Sequence, residues 1–278
     1  MSSRRDLTVL VTGATDGLGR GVAERLAGDG ATVHLHGRSG ERLAATAAAI
    51  RAATGNERLH THRADLASLA EVRALADAVQ RSAERLDVLV SNAGIGSGRP
   101  DLTTRQESRD GHELRFAVNY LAGFLLTLRL LGLLRRSAPA RIVNVASLGQ
   151  WPIDFDDVML RSGYSGTRAY AQSKLAQIIS GFELAERLAG DAITVNSLHP
   201  ATYMPTKIVL EEVGRQVDTL ELGIAATVRL ATSPELEGVS GRFFDRLRET
   251  AADPQAYDRA ARERLWRLSL ELVGEPGI

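Results

Sequence analysis

A chain of 278 residues, 44% hydrophobic and 24% charged, is long enough to bury a substantial core and has an ordinary globular composition. Its 34 basic and 34 acidic side chains cancel, so no broad attraction to nucleic acid or to an anionic membrane is expected. It has no cysteine, which excludes disulfides, thiolate metal centres and thiol catalysis.

Taken in chain order, short β-branched runs alternate with helical patterns. Residues 7–11 read as a first strand, too short for the core of a secretory signal, and a cytoplasmic location is expected. A helix follows over 18–28, a strand over 31–36, an Ala-rich helix over 41–53, a strand over 58–64 and a helix over 69–85. Residues 88–91 form the fourth strand. Residues 113–136 form a long helix, near membrane-spanning length. It carries Asn119 and Arg129 and ends in Arg135-Arg136, so a buried core or interface helix is expected instead of a span. A strand over 141–146, a helix over 169–190 and a strand over 193–198 complete the pattern. Strands alternating with helices predict an α/β fold, a Rossmann-type doubly wound parallel sheet with helices on both faces, and one domain over 1–278. Two stretches, 148–168 and 199–217, interrupt the rhythm after strand carboxyl ends, where such sheets bind ligands.

The first strand runs into Thr12-Gly13-Ala14-Thr15-Asp16-Gly17-Leu18-Gly19. Glycines between a strand and a helix allow a tight turn whose N–H groups approach a pyrophosphate at the helix N-terminus. After the second strand, Gly37 stands where an NAD site places an acid, and Arg38 follows. A guanidinium forks onto a 2′-phosphate, so NADP(H) is the expected cofactor. Asp65-Leu66 and Asn92-Ala93-Gly94, at the next two strand ends, are expected to flank it.

Tyr170-Ala171-Gln172-Ser173-Lys174 puts a tyrosine and a lysine four apart, on one helix face. Lysine is scarce here: only Lys174 and Lys207 occur. An ammonium beside a phenol favours the phenolate and fits it for acid/base work. Ser147 ends the fifth strand, where its hydroxyl can hold a carbonyl. Asn119 lies among apolar residues and needs a partner, either a structural one or a water-linked relay to Lys174.

Together these residues resemble the short-chain dehydrogenase/reductase family over nearly the whole chain. The glycine turn, Asn92-Ala93-Gly94, Asn119, Ser147, Tyr170, Lys174 and His199-Pro200 occur in the family's order. The resemblance implies about seven strands and a homo-dimer or homo-tetramer formed through the helices over 113–136 and 169–190. It also implies roles: Tyr170 as proton donor, Lys174 on the nicotinamide ribose, Ser147 orienting the carbonyl, Asn119 supporting the relay, and Pro200 beside the cofactor. Tyr170-Ala171-Gln172-Ser173-Lys174-Leu175-Ala176, the long segment 148–168 and the tail around residues 238–244 and 265–269 are similar to retinol-dehydrogenase-like reductases. That likeness implies a lipophilic small-molecule alcohol or carbonyl substrate. Membrane-bound relatives carry an N-terminal anchor, whereas this chain starts close to its first strand. Ala201 stands where the family commonly has glycine.

NADPH-dependent reduction of a ketone or aldehyde, or the reverse oxidation, is therefore expected, with Trp151, Tyr203 and Met204 as substrate-lining residues. A nucleotide-binding scaffold with little turnover is the alternative. His34, His36, His60 and His62 alternate on adjacent strands, but no carboxylate or cysteine joins them, and no metal is expected. His112 and His199 read as structural or loop residues, and Trp266 as packing.

Overall fold

The computed structural model describes residues 7–98, 101–206, 209–210 and 214–278. The strands are β1 (Thr8–Val11), β2 (Thr32–Gly37), β3 (Leu59–Arg63), β4 (Val88–Ser91), β5 (Ala140–Val145), β6 (Ile193–His199), β7 (Arg242–Asp245) and β8 (Arg248–Thr250). They form one sheet in the order β3-β2-β1-β4-β5-β6-β7-β8, parallel from β3 to β7. The order reverses between β1 and β4, which makes a crevice at the strand carboxyl ends. Among the described residues the sheet has eight strands, one more than expected. Strand β8 pairs antiparallel with β7 after a turn in which Arg246 takes a left-handed backbone (φ 56°). Its three residues are all exposed, so it carries no apolar alternation to read.

Helices α1 (Gly17–Gly28), α2 (Gly40–Thr54) and α6 (Leu220–Thr232) cover one face. Their core joins Val9, Val11, Val33 and Leu35 to Leu26, Ile50 and Ile224. Helices α3 (Leu69–Ser82), α4 (Ala122–Arg136), α5 (Gly166–Arg187) and α7 (Arg259–Val273) cover the other. Leu10 and Leu89 face that second core, with Leu125, Leu175 and Trp266. Alternate residues of β1 thus enter opposite cores, as the two-residue period of a strand requires.

Segment 113–136 is not one α-helix. Phe116–Leu121 is a π-helical turn, and α4 follows it. Within Phe116–Arg136 an 18-residue stretch has a mean hydropathy of 1.7 and is 72% buried inside the fold, as a core helix is. Helix α5 begins three residues earlier than the sequence pattern indicates, because the Ser165 side chain accepts from the Arg168 N–H and caps it.

The four histidines of β2 and β3 share one face. His34 Nδ1 lies 2.9 Å from His62 Nε2. The His34 ring stacks on those of His60 and His62, with interplanar angles of 16° and 14°. No group of three or more His, Cys, Asp or Glu side chains that could hold a metal ion stands among the described residues. Burial, then neighbouring imidazoles, push His34 down to about 3, and burial first pushes His62 down to about 4. The unfolded chain returns both to the ordinary 6.5 and binds protons that the fold excludes. Stability is therefore lost as pH falls from 6.5 towards 4, by about 1.4 kcal/mol per pH unit for each such group. The urea midpoint should fall between about pH 7 and pH 5, with a shallower slope in His62→Gln. A midpoint that stays flat over that range would refute this reading.

Candidate active site and nucleotide crevice

The carboxyl ends of β1 and β4 are tied by one hydroxyl. Thr12 Oγ1 accepts from the N–H of Asn92 (2.9 Å) and of Ala93 (3.0 Å). Asn92 Nδ2 donates back to the Thr12 carbonyl at 2.8 Å. Gly13 has φ 68°, and a Cβ there would sit 2.9 Å from Ala93 Cα. A Cβ on Gly19 would lie 2.3 Å from the Gly13 carbonyl. Larger residues would close the turn at which a pyrophosphate is expected.

Asp16 caps α1, accepting from Gly17 N–H at 2.8 Å, and pairs with Arg42 at 3.1 Å. Leu18 and Gly19 are buried, and Thr15 is half-buried. The Thr15 methyl explains Gly37, where a Cβ would come within 2.7 Å of it. Arg38 follows Gly37, exposed, and its guanidinium has no hydrogen-bond or ion-pair partner among the described residues. Asp65 turns its carboxylate onto the Ala67 N–H (3.1 Å) and towards Arg109, while Leu66 is buried in the core.

Lys174 is buried in α5. Its ammonium donates to the Val145 carbonyl (2.9 Å) and to Gln177 Oε1 (3.3 Å). Burial pushes it down to about 8. The same ammonium stands 5.9 Å from the centre of the Tyr170 ring, as a four-residue helical spacing allows. Gly94 comes so close that a Cβ there would meet Asn119 Oδ1 at 3.1 Å and Lys174 Nζ at 3.5 Å. Ser147 Oγ accepts from Gly149 N–H at 3.0 Å. A Cβ on Gly149 would touch both Ser147 Oγ and Tyr170 Cε1, so the two side chains border one spot.

Asn119 sits in the π-helical turn. Its Oδ1 accepts from Ile95 N–H at 2.7 Å, and its Nδ2 donates to the Ile95 carbonyl (3.1 Å) and Ser173 Oγ (3.0 Å). Its side chain thus ties the irregular segment after Gly94 to α5. Glu113 and Arg115, both buried, meet the Tyr164 hydroxyl: Arg115 donates to it at 2.7 Å and it donates to Glu113 at 3.0 Å. This fastens the long segment before α5 to the entrance of the π-turn. Gln150 and Gln255 tie the same segment to the C-terminal region, Gln150 accepting from Asp253 N–H and Gln255 from Ile153 N–H.

Beyond β6, Pro200 and Ala201 are buried. Thr202 is clamped: its N–H donates to Asp218 (2.7 Å), its hydroxyl accepts from Arg246 (2.9 Å), and His199 Nε2 lies 3.0 Å from that hydroxyl. The loop then brings the Thr206 methyl to 3.0 Å from where a Gly17 Cβ would be, so it closes over the start of α1. Thr206, Arg246 and the Thr12 hydroxyl escape the sequence reading, because each acts on a segment remote in the chain. Lys207 lies outside the described residues.

The expected substrate-lining residues divide. Trp151 and Tyr203 are 54% and 40% exposed on the loops after β5 and β6. Tyr203 has a left-handed backbone (φ 43°), uncommon for a bulky residue. Met204 instead packs on the α1/α6 side, its sulfur 3.0 Å from where a Gly223 Cβ would lie.

A glycine turn feeding a helix at a switch point, with a Tyr–Lys pair one helical turn apart at the neighbouring strand ends, defines a nucleotide-dependent oxidoreductase. Residues 7–214 match the family model for short chain dehydrogenases, and the chain belongs to that family. It is 40% identical to mouse retinol dehydrogenase 13 over 290 aligned positions, covering 96% of this chain and 84% of the relative. A crystal structure of an uncharacterized protein from Mycobacterium paratuberculosis superposes with a TM-score of 0.78 at 28% identity, covering 100% of this chain and 99% of that one. An NADP active-site complex of Pseudomonas aeruginosa RhlG gives 0.70 at 27% identity, covering 88% and 97%. The protein is thus an oxidoreductase of a family that uses NAD(P), acting on an alcohol or carbonyl by hydride transfer.

Proposed function

We propose that this protein uses NADPH to reduce a ketone or aldehyde on a lipophilic small molecule, with Tyr170 as the proton donor. The observation that carries the reading is the Lys174 ammonium, buried, held on the Val145 carbonyl and placed below the Tyr170 ring. The cofactor fits the residues present: glycines stand wherever a Cβ would block the crevice, and Arg38 offers its donors where a 2′-phosphate would lie. When bound, the nicotinamide supplies the hydride. Ser147 hydrogen-bonds the carbonyl oxygen and orients it beside Tyr170. The Tyr170 hydroxyl then gives its proton to the oxygen as negative charge develops there. Lys174 lowers the cost of the phenolate left behind. Trp151 and Tyr203, exposed and apolar on the two loops that flank this spot, suit a lipophilic substrate.

The test is NADPH oxidation with a panel of long-chain aldehydes and cyclic ketones, run beside the Arg38→Leu variant. Wild type is expected to turn over at least one class with NADPH. Losing a charge-assisted fork on phosphate should raise the variant's KM for NADPH about 10- to 100-fold and leave that for NADH within about twofold. Equal NADPH affinity in the two proteins would remove Arg38 from the site.

A further inference from the structure

The turn at Gly13 is supported from below by a residue of the next strand. In β2, Leu35 faces the α1/α2 core and His36 faces the opposite side, fully buried beneath the turn. Three bonds leave His36. Its Nδ1 accepts from the Gly13 N–H at 3.2 Å. Its Nε2 meets the Ala64 carbonyl at 3.2 Å. Its own carbonyl accepts from the Ala14 N–H at 2.8 Å.

We propose that His36 is a positioning residue for the nucleotide: its side chain locks the glycine turn to the end of β3, presetting the turn for the pyrophosphate. This rests on the reading that residues 12–19 cradle NADPH. The two side-chain bonds require one form of the ring. Nδ1 must be bare to accept from Gly13, and Nε2 must carry the proton to donate to Ala64. The imidazolium would set N–H against N–H. Burial holds the ring neutral, pushing it down to about 4, helped by His62 and opposed by the Ala64 bond and Asp65.

The consequence falls on binding. Gly13 stands in a left-handed conformation and its N–H points onto the His36 ring. With the N–H groups of Gly13 and Ala14 both held by His36, the turn is shaped before the nucleotide arrives, and less ordering is left for binding to supply. Because Ala64 adjoins Asp65, the same ring ties the phosphate turn to the strand end expected beside the adenine. Without the ring, Gly13 N–H would be a buried donor with no acceptor, and the turn would shift to find one.

The experiment compares wild type, His36→Leu and His36→Asn by NADPH titration, following nicotinamide fluorescence, and by steady-state kinetics. Leucine fills the volume without an acceptor, while the asparagine Oδ1 reproduces the place of Nδ1. His36→Leu is expected to weaken NADPH binding about tenfold, the loss falling on Kd and KM and not on kcat at saturation, and His36→Asn to recover most of it. Nitrogen NMR of the wild-type imidazole, which needs no variant to fold, should show Nδ1 unprotonated and Nε2 protonated. Unchanged Kd in His36→Leu beside normal wild-type binding, a loss confined to kcat, or a protonated Nδ1 would each overturn the proposal alone. Failure of wild type to bind NADPH would overturn the reading beneath it as well.

Discussion

Tyr170→Phe should lower kcat/KM for carbonyl reduction by about a thousandfold and leave NADPH affinity within about twofold. Only the hydroxyl is removed; the ring that Lys174 lies under, and the helix that carries both, are unchanged. Hydride addition makes an alkoxide, and without a positioned proton donor that charge has to be met by water. Ser147 alone supplies a hydrogen bond and no proton to spare. The separation of the two readouts matters, because a nucleotide-binding scaffold would lose nothing on this change. Turnover surviving at wild-type levels would mean that another group donates the proton.

Lys174→Met tests the same centre from the side of charge. The ammonium is buried, its bonds go to Val145 and Gln177, and burial already holds it at about 8. A buried charge with a neutral carbonyl and a neutral amide for partners adds little to stability, so the variant should melt at or above the wild-type temperature. Activity should move the other way. With no cation near it, the phenolate left by Tyr170 loses its stabilising charge, and kcat/KM should fall by about a hundredfold or more with its pH optimum displaced upward. Weaker cofactor binding is expected alongside, since the proposed role of Lys174 includes the nicotinamide ribose. A variant that is less active only because it is less stable, with an unmoved pH optimum, would contradict this assignment.

The parts of the site legible in the sequence are those written by local rules. The glycine turn reads because a strand must stop and a helix must start within a few residues. Tyr170 and Lys174 read because a four-residue spacing on a helix is a spatial fact. Arg38 is a candidate from its place after the second strand. What the chain does not display are features made by distant partners. The π-turn around Asn119 inserts one residue into a helix without changing its apolar character. The eighth strand is short, polar and exposed. The Arg246–Asp218–Thr202 clamp joins residues 44 positions apart, and nothing near either end announces the other. His36 stood out in the sequence only as one of four alternating imidazoles. Its partners at Gly13 and Ala64 become visible once β1, β2 and β3 lie side by side.

The measurement that bears most directly on the account is a titration of the purified wild-type protein with NADPH and NADH in parallel, followed by nicotinamide fluorescence. Binding of NADPH at least about tenfold tighter than NADH is the predicted result, set by Arg38 on the 2′-phosphate. Tighter binding of NADH would contradict the cofactor assignment while sparing the family, and binding of neither by folded protein would contradict the central claim.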